Sequence, residues 1–161
     1  MNQSEEFRSA MRKWTTGVAI ATCIADSAPH GMTVNSFTSV SVDPPMVTVT
    51  MAKATRTLQK TLASGHFGIT ILSLNQKLIA DRFAGKEEDH LNRFEGLATF
   101  TMLSEVPFIQ GGLAFFDCTV EHTFEMAQSV LLLGRVVAVR EGNVAEHLVY
   151  TNRRYGGVKL L

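Results

Sequence analysis

The chain has 161 residues, with 15 Lys and Arg balanced by 15 Asp and Glu. Hydrophobic residues make up 45% and charged residues 19%, which excludes the hydrophobic-poor, highly charged class of disordered proteins. A formal charge of zero gives no net field that attracts polyanions, so we expect neither nucleic acid nor a membrane surface as a partner. The apolar runs are also shorter than the roughly 20 residues that a membrane-spanning helix needs.

The length fits one domain over residues 1–161. The first six residues lack a positive region followed by an apolar stretch, so we predict a cytoplasmic protein. In such a protein, Cys23 and Cys118 are expected to be buried, reduced thiols, with a disulfide as the alternative.

The first predicted element is an amphipathic helix over residues 4–14. Ser4 is its expected N-cap, and Glu5 and Glu6 suit its first turn. Apolar residues recur along it at helical spacing: Phe7, Ala10, Met11 and Trp14. We expect Trp14 to pack in the core.

Extended segments alternate with two further short helices. Residues 17–24 and 32–42 predict a hairpin around turn formers at 26–31. Four more strands are predicted at 46–51, 66–72, 113–124 and 130–139. The helices are predicted at 55–63, ended by Gly65, and at 75–83, with Leu78, Ile79 and Phe83 on one side.

The two longest strands differ in pattern. Residues 113–124 alternate, so Phe116 and Cys118 share a face opposite Asp117. Residues 130–139 are almost continuously apolar, which predicts burial on both faces, within the barrel or at a subunit contact. The charge cluster at 86–90 predicts a solvated loop.

The order of these elements predicts a mainly β fold with short helices. Turns join neighbouring strands too often for a doubly wound parallel sheet, so an antiparallel barrel fits best.

Several common chemistries have no support in the sequence. Its five histidines are scattered, at positions 30, 66, 90, 122 and 147, and none stands in a zinc-binding motif, so we expect no metal. A Gly-x-Ser-x-Gly nucleophile motif and both glycine-rich nucleotide-binding loops are also absent.

The informative segment is 30–45, His-Gly-Met-Thr-Val-Asn-Ser-Phe-Thr-Ser-Val-Ser-Val-Asp-Pro-Pro. It places small hydroxyl and amide donors between two strands, which suits a polar, planar ligand. The alternative is that these Thr and Ser residues only form strands and turns.

With Phe7-Arg-Ser-Ala-Met-x-x-x-x-Thr-Gly17-Val before it, this segment resembles the short flavin reductase family, the reductase components of two-component flavin monooxygenases. The resemblance spans roughly residues 7 to 155. It continues through Ser64-Gly-His-Phe67, Gln76, Arg82-Phe-Ala84, Arg93-Phe94, Cys118-x-Val120, Gly134-Arg-Val136 and Tyr150-x-x-x-Arg154-Tyr155.

The resemblance implies an antiparallel split β-barrel of the FMN-binding type that forms a homodimer. Such a protein binds FMN or FAD, reduces it with NADH or NADPH, and supplies a partner flavin-dependent monooxygenase. Positioning of the two rings is the protein's task, so the resemblance implies no catalytic acid, base or nucleophile. The residues implied to line the flavin are Thr33, Val34, Asn35 and Ser36.

The resemblance also suggests residues at the edges of the flavin site. Lys53, Thr55 and Thr57 are candidates for the flavin phosphate, because their loop opens a helix whose free N–H groups favour an anion. The alternative is a solvated loop with a Thr cap. Arg82 and Phe83 match a family motif and are candidates for completing the pocket, although Phe83 equally fits the core.

One departure concerns the nicotinamide site. Ala127-Gln128-Ser129 stands where many relatives have Gly-Asp-His, whose imidazole is absent here. Ser129, Arg154 and Tyr155 are the candidates for nicotinamide binding, the last two with a surface segment as the alternative. The missing imidazole motivates a second hypothesis, a flavin-binding electron-transfer or sensor protein that does not use NAD(P)H directly. A third hypothesis is a dimerisation module without flavin.

Overall fold

The computed structural model describes residues 2–85 and 92–161 of the chain, so the charge cluster at 86–90 lies outside the described residues. The helices are α1 (Gln3–Met11), α2 (Arg56–Ser64) and α3 (Lys77–Phe83), the last preceded by a 3-10 turn at Leu74–Gln76. The strands are β1 (Thr16–Gly17), β2 (Ala19–Ala25), β3 (Ala28–Val34), β4 (Thr38–Val42), β5 (Pro45–Ala52), β6 (His66–Ile71), β7 (Thr99–Phe100), β8 (Phe108–Ile109), β9 (Ala114–Glu125), β10 (Ser129–Glu141), β11 (Val149–Thr151) and β12 (Arg154–Gly156).

Seven strands form an antiparallel sheet in the order β3-β2-β6-β9-β10-β5-β4. The sheet curves until the end of β3 approaches β5. Ser36 bridges them, since its hydroxyl donates to the Thr50 carbonyl at 2.8 Å and accepts from the Thr50 N–H at 3.0 Å. The prediction of a mainly β, antiparallel split barrel with short helices is confirmed. No helix in the two described ranges is long and apolar enough to cross a bilayer.

Two apolar clusters cover opposite faces of β2 and its neighbours. Side chains alternate between the faces of a strand, so Ala19 and Ala21 enter the barrel interior while Ile20 points outward. The interior also holds Met51 and Phe67, and the outer cluster packs beneath α3. The outer cluster consists of Val18, Ile20, Leu72, Ala80, Phe83, Phe94, Ile109 and Leu148.

The first hairpin differs from the prediction in two ways. Its turn is only Asp26-Ser27, both with positive φ as a two-residue hairpin loop requires, so residues 29–31 belong to β3. The predicted strand over 32–42 is two strands, because the chain leaves β3 at residue 35 and pairs as β4 on the other edge of the sheet.

The opening helix also departs from its prediction. Its N-cap is Asn2, which forms a reciprocal capping box with Glu5, and the helix ends at Met11. Trp14 is 68% exposed, and no residue of α1 is buried. The expectation that Trp14 packs in the core is therefore wrong within one chain, because neither apolar cluster formed by residues 2–85 and 92–161 includes a residue of this helix.

The other helices follow their predictions more closely. Thr55 caps α2, and Gly65 ends it with φ of +73°. In α3, Ile79 and Phe83 share the face toward the outer cluster. Leu78 is exposed, because adjacent residues of a helix lie about 100° apart.

The structure corrects two predictions about the long strands β9 and β10. Asp117, expected on a polar face, is fully buried, and its carboxylate accepts hydrogen bonds from the Leu103 N–H, the Ser104 N–H and the Ser104 hydroxyl at 2.8–3.1 Å. Burial on both faces of β10 is not met within one chain, because in its first half one face is buried and the other only half-buried. In the second half, Val137 and Val139 are exposed, because β5 pairs with β10 only as far as Arg135.

Candidate functional site

Cavities of about 270, 170 and 70 Å³ lie along β3 and the residues that follow it. The first cavity separates the start of β3 from the N-terminus of α2. The second and third share Val18, Val34 and Asn35 near the end of β3. Because β3 is an edge strand, these cavities lie at an edge of the sheet.

The predicted flavin-lining segment lies at the second and third cavities. Thr33, Val34 and Asn35 line the second cavity, and Val34 is also part of the barrel interior. The Thr33 hydroxyl donates to the Ala80 carbonyl of α3 at 2.6 Å, while Ser36 bridges to β5. Asn35 is exposed and borders both cavities. Within this segment, Asn35 therefore offers the polar side chain most accessible to a ligand.

The predicted phosphate loop lies at the first cavity, lined by Thr55 and Thr57. The Thr55 hydroxyl accepts from the Leu58 N–H at 3.4 Å and donates to the Ala52 carbonyl at 2.8 Å, so it caps α2. Lys53 does not line this cavity and forms an ion pair with Glu125 at 2.6 Å. The loop thus combines the free N–H groups of a helix start with two threonines, an arrangement that favours an anion.

Three basic residues at the first cavity were missed by the sequence reasoning: His30, Arg56 and Arg93. Arg93 is held in place, since its Nη1 donates to the carbonyls of Gly31 and Phe83 at 3.2 and 3.1 Å. Arg56 directly follows Thr55, the N-cap of α2. This position at the start of a helix was the one sequence signal that Arg56 lies near an anion site.

The electrostatics of this cavity depress the pKa of His30 below its ordinary value. Partial burial is the main cause, followed by the positive charges of Lys60 and Arg56, while Asp26 opposes them. Lys60 is itself paired with Asp26 at 2.6 Å. The lowered pKa leaves the imidazole neutral at neutral pH.

Arg82 and Phe83 line none of these three cavities. Arg82 donates from Nη1 to the Glu95 carbonyl at 3.1 Å. Phe83 is buried against Phe94, with ring centroids 5.0 Å apart, so it takes the core position that was its alternative. Its neighbour Ala84 lines the second cavity instead.

The predicted nicotinamide residues lie in separate places within one chain. Tyr155 lines the second cavity together with Tyr150, and their ring centroids are 5.3 Å apart. Arg154 is exposed in β12, outside the three cavities. Ser129 begins β10 opposite Ala52, next to the loop that carries Lys53.

The residues along β3 fit a ligand that is planar at one end and anionic at the other. Val18, Val34 and Phe37 supply apolar walls near the amide of Asn35, which suits a flat ring with one polar edge. The first cavity supplies cations and helix N–H groups, which suit a phosphate. A flavin mononucleotide combines these two parts. Among the described residues, no cluster of His, Cys, Asp and Glu has the spacing to hold a metal ion.

Comparison with known proteins also points to a flavin as the ligand. A sequence model described as "Flavin reductase like domain" matches residues 11–159. The NADH-dependent flavin reductase StyB of Pseudomonas fluorescens is 33% identical over 157 residues, which cover 96% of this chain and 89% of StyB.

Solved structures match over almost the whole chain. The styrene monooxygenase flavin reductase of Pseudomonas putida S12 superposes with a TM-score of 0.86 and 32% identity, covering 97% of this chain and 99% of that one. Nitrilotriacetate monooxygenase component B of Mycobacterium thermoresistibile gives a TM-score of 0.90 and 29% identity, covering 97% and 87%. This chain belongs to the flavin reductase like domain family.

Proposed function

We propose that this protein is an NAD(P)H-dependent flavin reductase that transfers a hydride from a nicotinamide nucleotide to FMN or FAD. The observation that carries the proposal is the row of cavities along β3, with apolar walls and Asn35 at one end and the capped start of α2 at the other. This arrangement lies in a chain whose relatives are named flavin reductases.

The chain's own residues act by binding and orientation. Thr55, Thr57 and the first turn of α2 hold the phosphate, while Val34 and Asn35 hold the ring. Flavin held by these residues would supply the hydride-accepting ring, and the protein would contribute by orienting that ring toward the nicotinamide. Tyr155, packed on Tyr150 at the second cavity, offers the nicotinamide an aromatic surface.

We further propose a homodimer that resides in the cytoplasm and passes reduced flavin to a partner monooxygenase. One similar structure is named as the flavin reductase of a monooxygenase and another as a component of a monooxygenase, which supports such a partner. The exposed apolar residues at the end of β10 support the homodimer, since monomers rarely expose such patches. The whole chain is proposed to act as a single domain.

A reduction assay tests the proposed function. Purified protein with FMN or FAD and excess NADH or NADPH should lose the visible flavin absorbance while the nicotinamide is oxidised. We expect Asn35→Ala to lower kcat/KM about 2- to 10-fold, the effect of one lost hydrogen bond. The matched control is Asn75→Ala, which removes an exposed amide outside the three cavities. No reduction of either flavin by either nucleotide would refute the proposal.

The second candidate is a flavin-binding electron carrier or sensor that receives electrons from another protein. The observation that favours it is Ser129, which the family resemblance places where a histidine is expected and which does not line the second cavity with Tyr155. Tight FMN retention during purification, without oxidation of NADH or NADPH, would select this candidate.

A further inference from the structure

The first cavity is larger than the flavin phosphate needs. Its volume is about 270 Å³, close to the lower limit of roughly 300 Å³ for clefts that bind small molecules. Thr55 and Thr57 form only part of its lining, and the rest includes Pro29, His30 and Met32 of β3. Space for a second chemical group therefore adjoins the phosphate loop.

The charge of the lining indicates that this group is anionic. Arg56 and Arg93 supply the positive charge, the neutral imidazole of His30 adds a hydrogen-bond donor, and no acidic side chain lines the cavity among the described residues. Arg93 is fixed by its two carbonyl acceptors, which positions its charge without further ordering. Guanidinium groups favour phosphate because their N–H donors match its oxygens in pairs.

The same lining carries an apolar part. Pro29, Met32 and Phe94 contribute to it, and Phe94 is held edge-on against Phe83. Such surfaces accept the flat face of a purine base. A phosphate joined to an adenosine matches a cavity that is cationic in one part and apolar in another.

We propose that the first cavity binds the adenylate half of FAD, and that Arg56 and His30 make the protein prefer FAD to FMN. This assignment rests on the proposed function, because it extends the phosphate site of the same flavin. FAD is favoured over the nicotinamide nucleotide as the source of the adenylate. Thr55 and Thr57 line this cavity, so an adenylate joined to the flavin phosphate enters it directly.

Binding titrations without any nicotinamide nucleotide test the assignment. Fluorescence or calorimetry would give the dissociation constants of FMN and FAD for the wild type, Arg56→Gln and His30→Ala. We expect the wild type to bind FAD about tenfold more tightly than FMN, the effect of one charge-assisted hydrogen bond. Arg56→Gln should remove most of this preference, and His30→Ala should reduce it. The control is Lys77→Gln, which removes an exposed charge outside the three cavities.

A competition experiment keeps the test independent of variant folding. In the wild type, 5′-AMP should displace FAD at lower concentrations than it displaces FMN, because it competes with FAD for the whole adenylate site and with FMN only for the phosphate. Equal affinities for FMN and FAD, or displacement of neither by 5′-AMP, would overturn the assignment while leaving the reductase function intact. A raised KM for NADH in Arg56→Gln, with FAD affinity unchanged, would also overturn it, because the adenylate would then belong to the nicotinamide nucleotide. Failure to bind any flavin would overturn the proposed function as well.

Discussion

At the scale of single residues, Ser36 has a structural role that its position in a flavin-binding motif does not suggest. Its hydroxyl both donates to and accepts from the backbone of Thr50, at 2.8 and 3.0 Å. These two bonds join the segment after β3 to β5 across the split in the barrel. Ser36 therefore fixes the segment on which Asn35 and Val34 are presented to the cavities.

We predict that Ser36→Ala destabilises the fold by about 1–3 kcal/mol, because both backbone groups of Thr50 lose a partner. Urea unfolding followed by circular dichroism measures this change. Ser39→Ala removes a similar hydroxyl from an exposed position on β4 and should stay within about 0.5 kcal/mol of the wild type. Equal stability of the two variants would show that the Ser36 bridge contributes little.

His30 gives a prediction about pH. Burial, and then the charges of Lys60 and Arg56, lower its pKa in the folded protein, so the unfolded chain binds the proton more tightly. The folded state therefore loses stability as the pH falls below the unfolded value of about 6.5. We expect the Tm of the wild type to fall more than that of His30→Gln between about pH 7.5 and pH 5.5. A pH-independent difference between the two Tm values would contradict this linkage.

At the scale of secondary structure, the β9–β10 hairpin is linked to the phosphate loop by one ion pair. Lys53 in the loop contacts Glu125 in β9 at 2.6 Å, and the Lys53 N–H also donates to the Gln128 carbonyl in the turn. This ion pair lowers the pKa of Glu125. Lys53 is thus held toward the hairpin, although the sequence predicts that it binds the flavin phosphate.

We predict that Glu125→Gln strengthens FMN binding a fewfold at low salt, because Lys53 no longer has a competing carboxylate. Exposed charges act weakly and are screened, so the gain should disappear at high ionic strength. Calorimetric titration with FMN at two salt concentrations measures it. Glu121→Gln breaks a different ion pair of the hairpin, with Arg135 at 2.8 Å, and should leave FMN affinity unchanged. An equal effect of both variants would exclude a specific role for Lys53.

Elements with local signals could be predicted from the sequence almost to the residue. Thr55 and Gly65 set the two ends of α2 through a side-chain cap and a left-handed backbone, both encoded at single positions. The alternation in residues 46–51 likewise predicted β5. The interruption between β3 and β4 was missed, because strand-forming residues stand on both sides of Asn35-Ser36 and only pairing on opposite sheet edges separates the two strands.

The candidate site was predictable in its sequence segments but not in the use of each side chain. The Thr33 hydroxyl donates to a carbonyl of α3, and the Ser36 hydroxyl donates to a carbonyl of β5. The two acceptors lie 47 and 14 positions further along the sequence. His30 and Arg56 reach one cavity only because the hairpin and α2 are folded together. Such juxtapositions arise from tertiary packing and leave no local pattern.

At the scale of the whole molecule, the two apolar clusters leave part of the apolar surface uncovered. Val137 and Val139 in the second half of β10 are exposed, where β5 no longer pairs with this strand. Near the hairpin turn, Phe124 and Met126 are exposed as well. The near-continuous apolar pattern of β10 is therefore explained in full only if another chain covers this strand, as the proposed homodimer requires.

We predict that Val139→Asp weakens or abolishes the homodimer, because a carboxylate buried at a subunit contact loses its hydration without gaining a partner. Val139 is 61% exposed in one chain, so the same change should leave the monomer folded. Light scattering after size-exclusion chromatography gives the mass, and circular dichroism checks the fold. Val158→Asp places the same charge on an exposed valine of the C-terminal segment and should remain dimeric. A Val139→Asp protein with the dissociation constant of the wild-type dimer would place the interface elsewhere, whereas a monomeric wild type would leave the exposed face of β10 without the partner proposed for it.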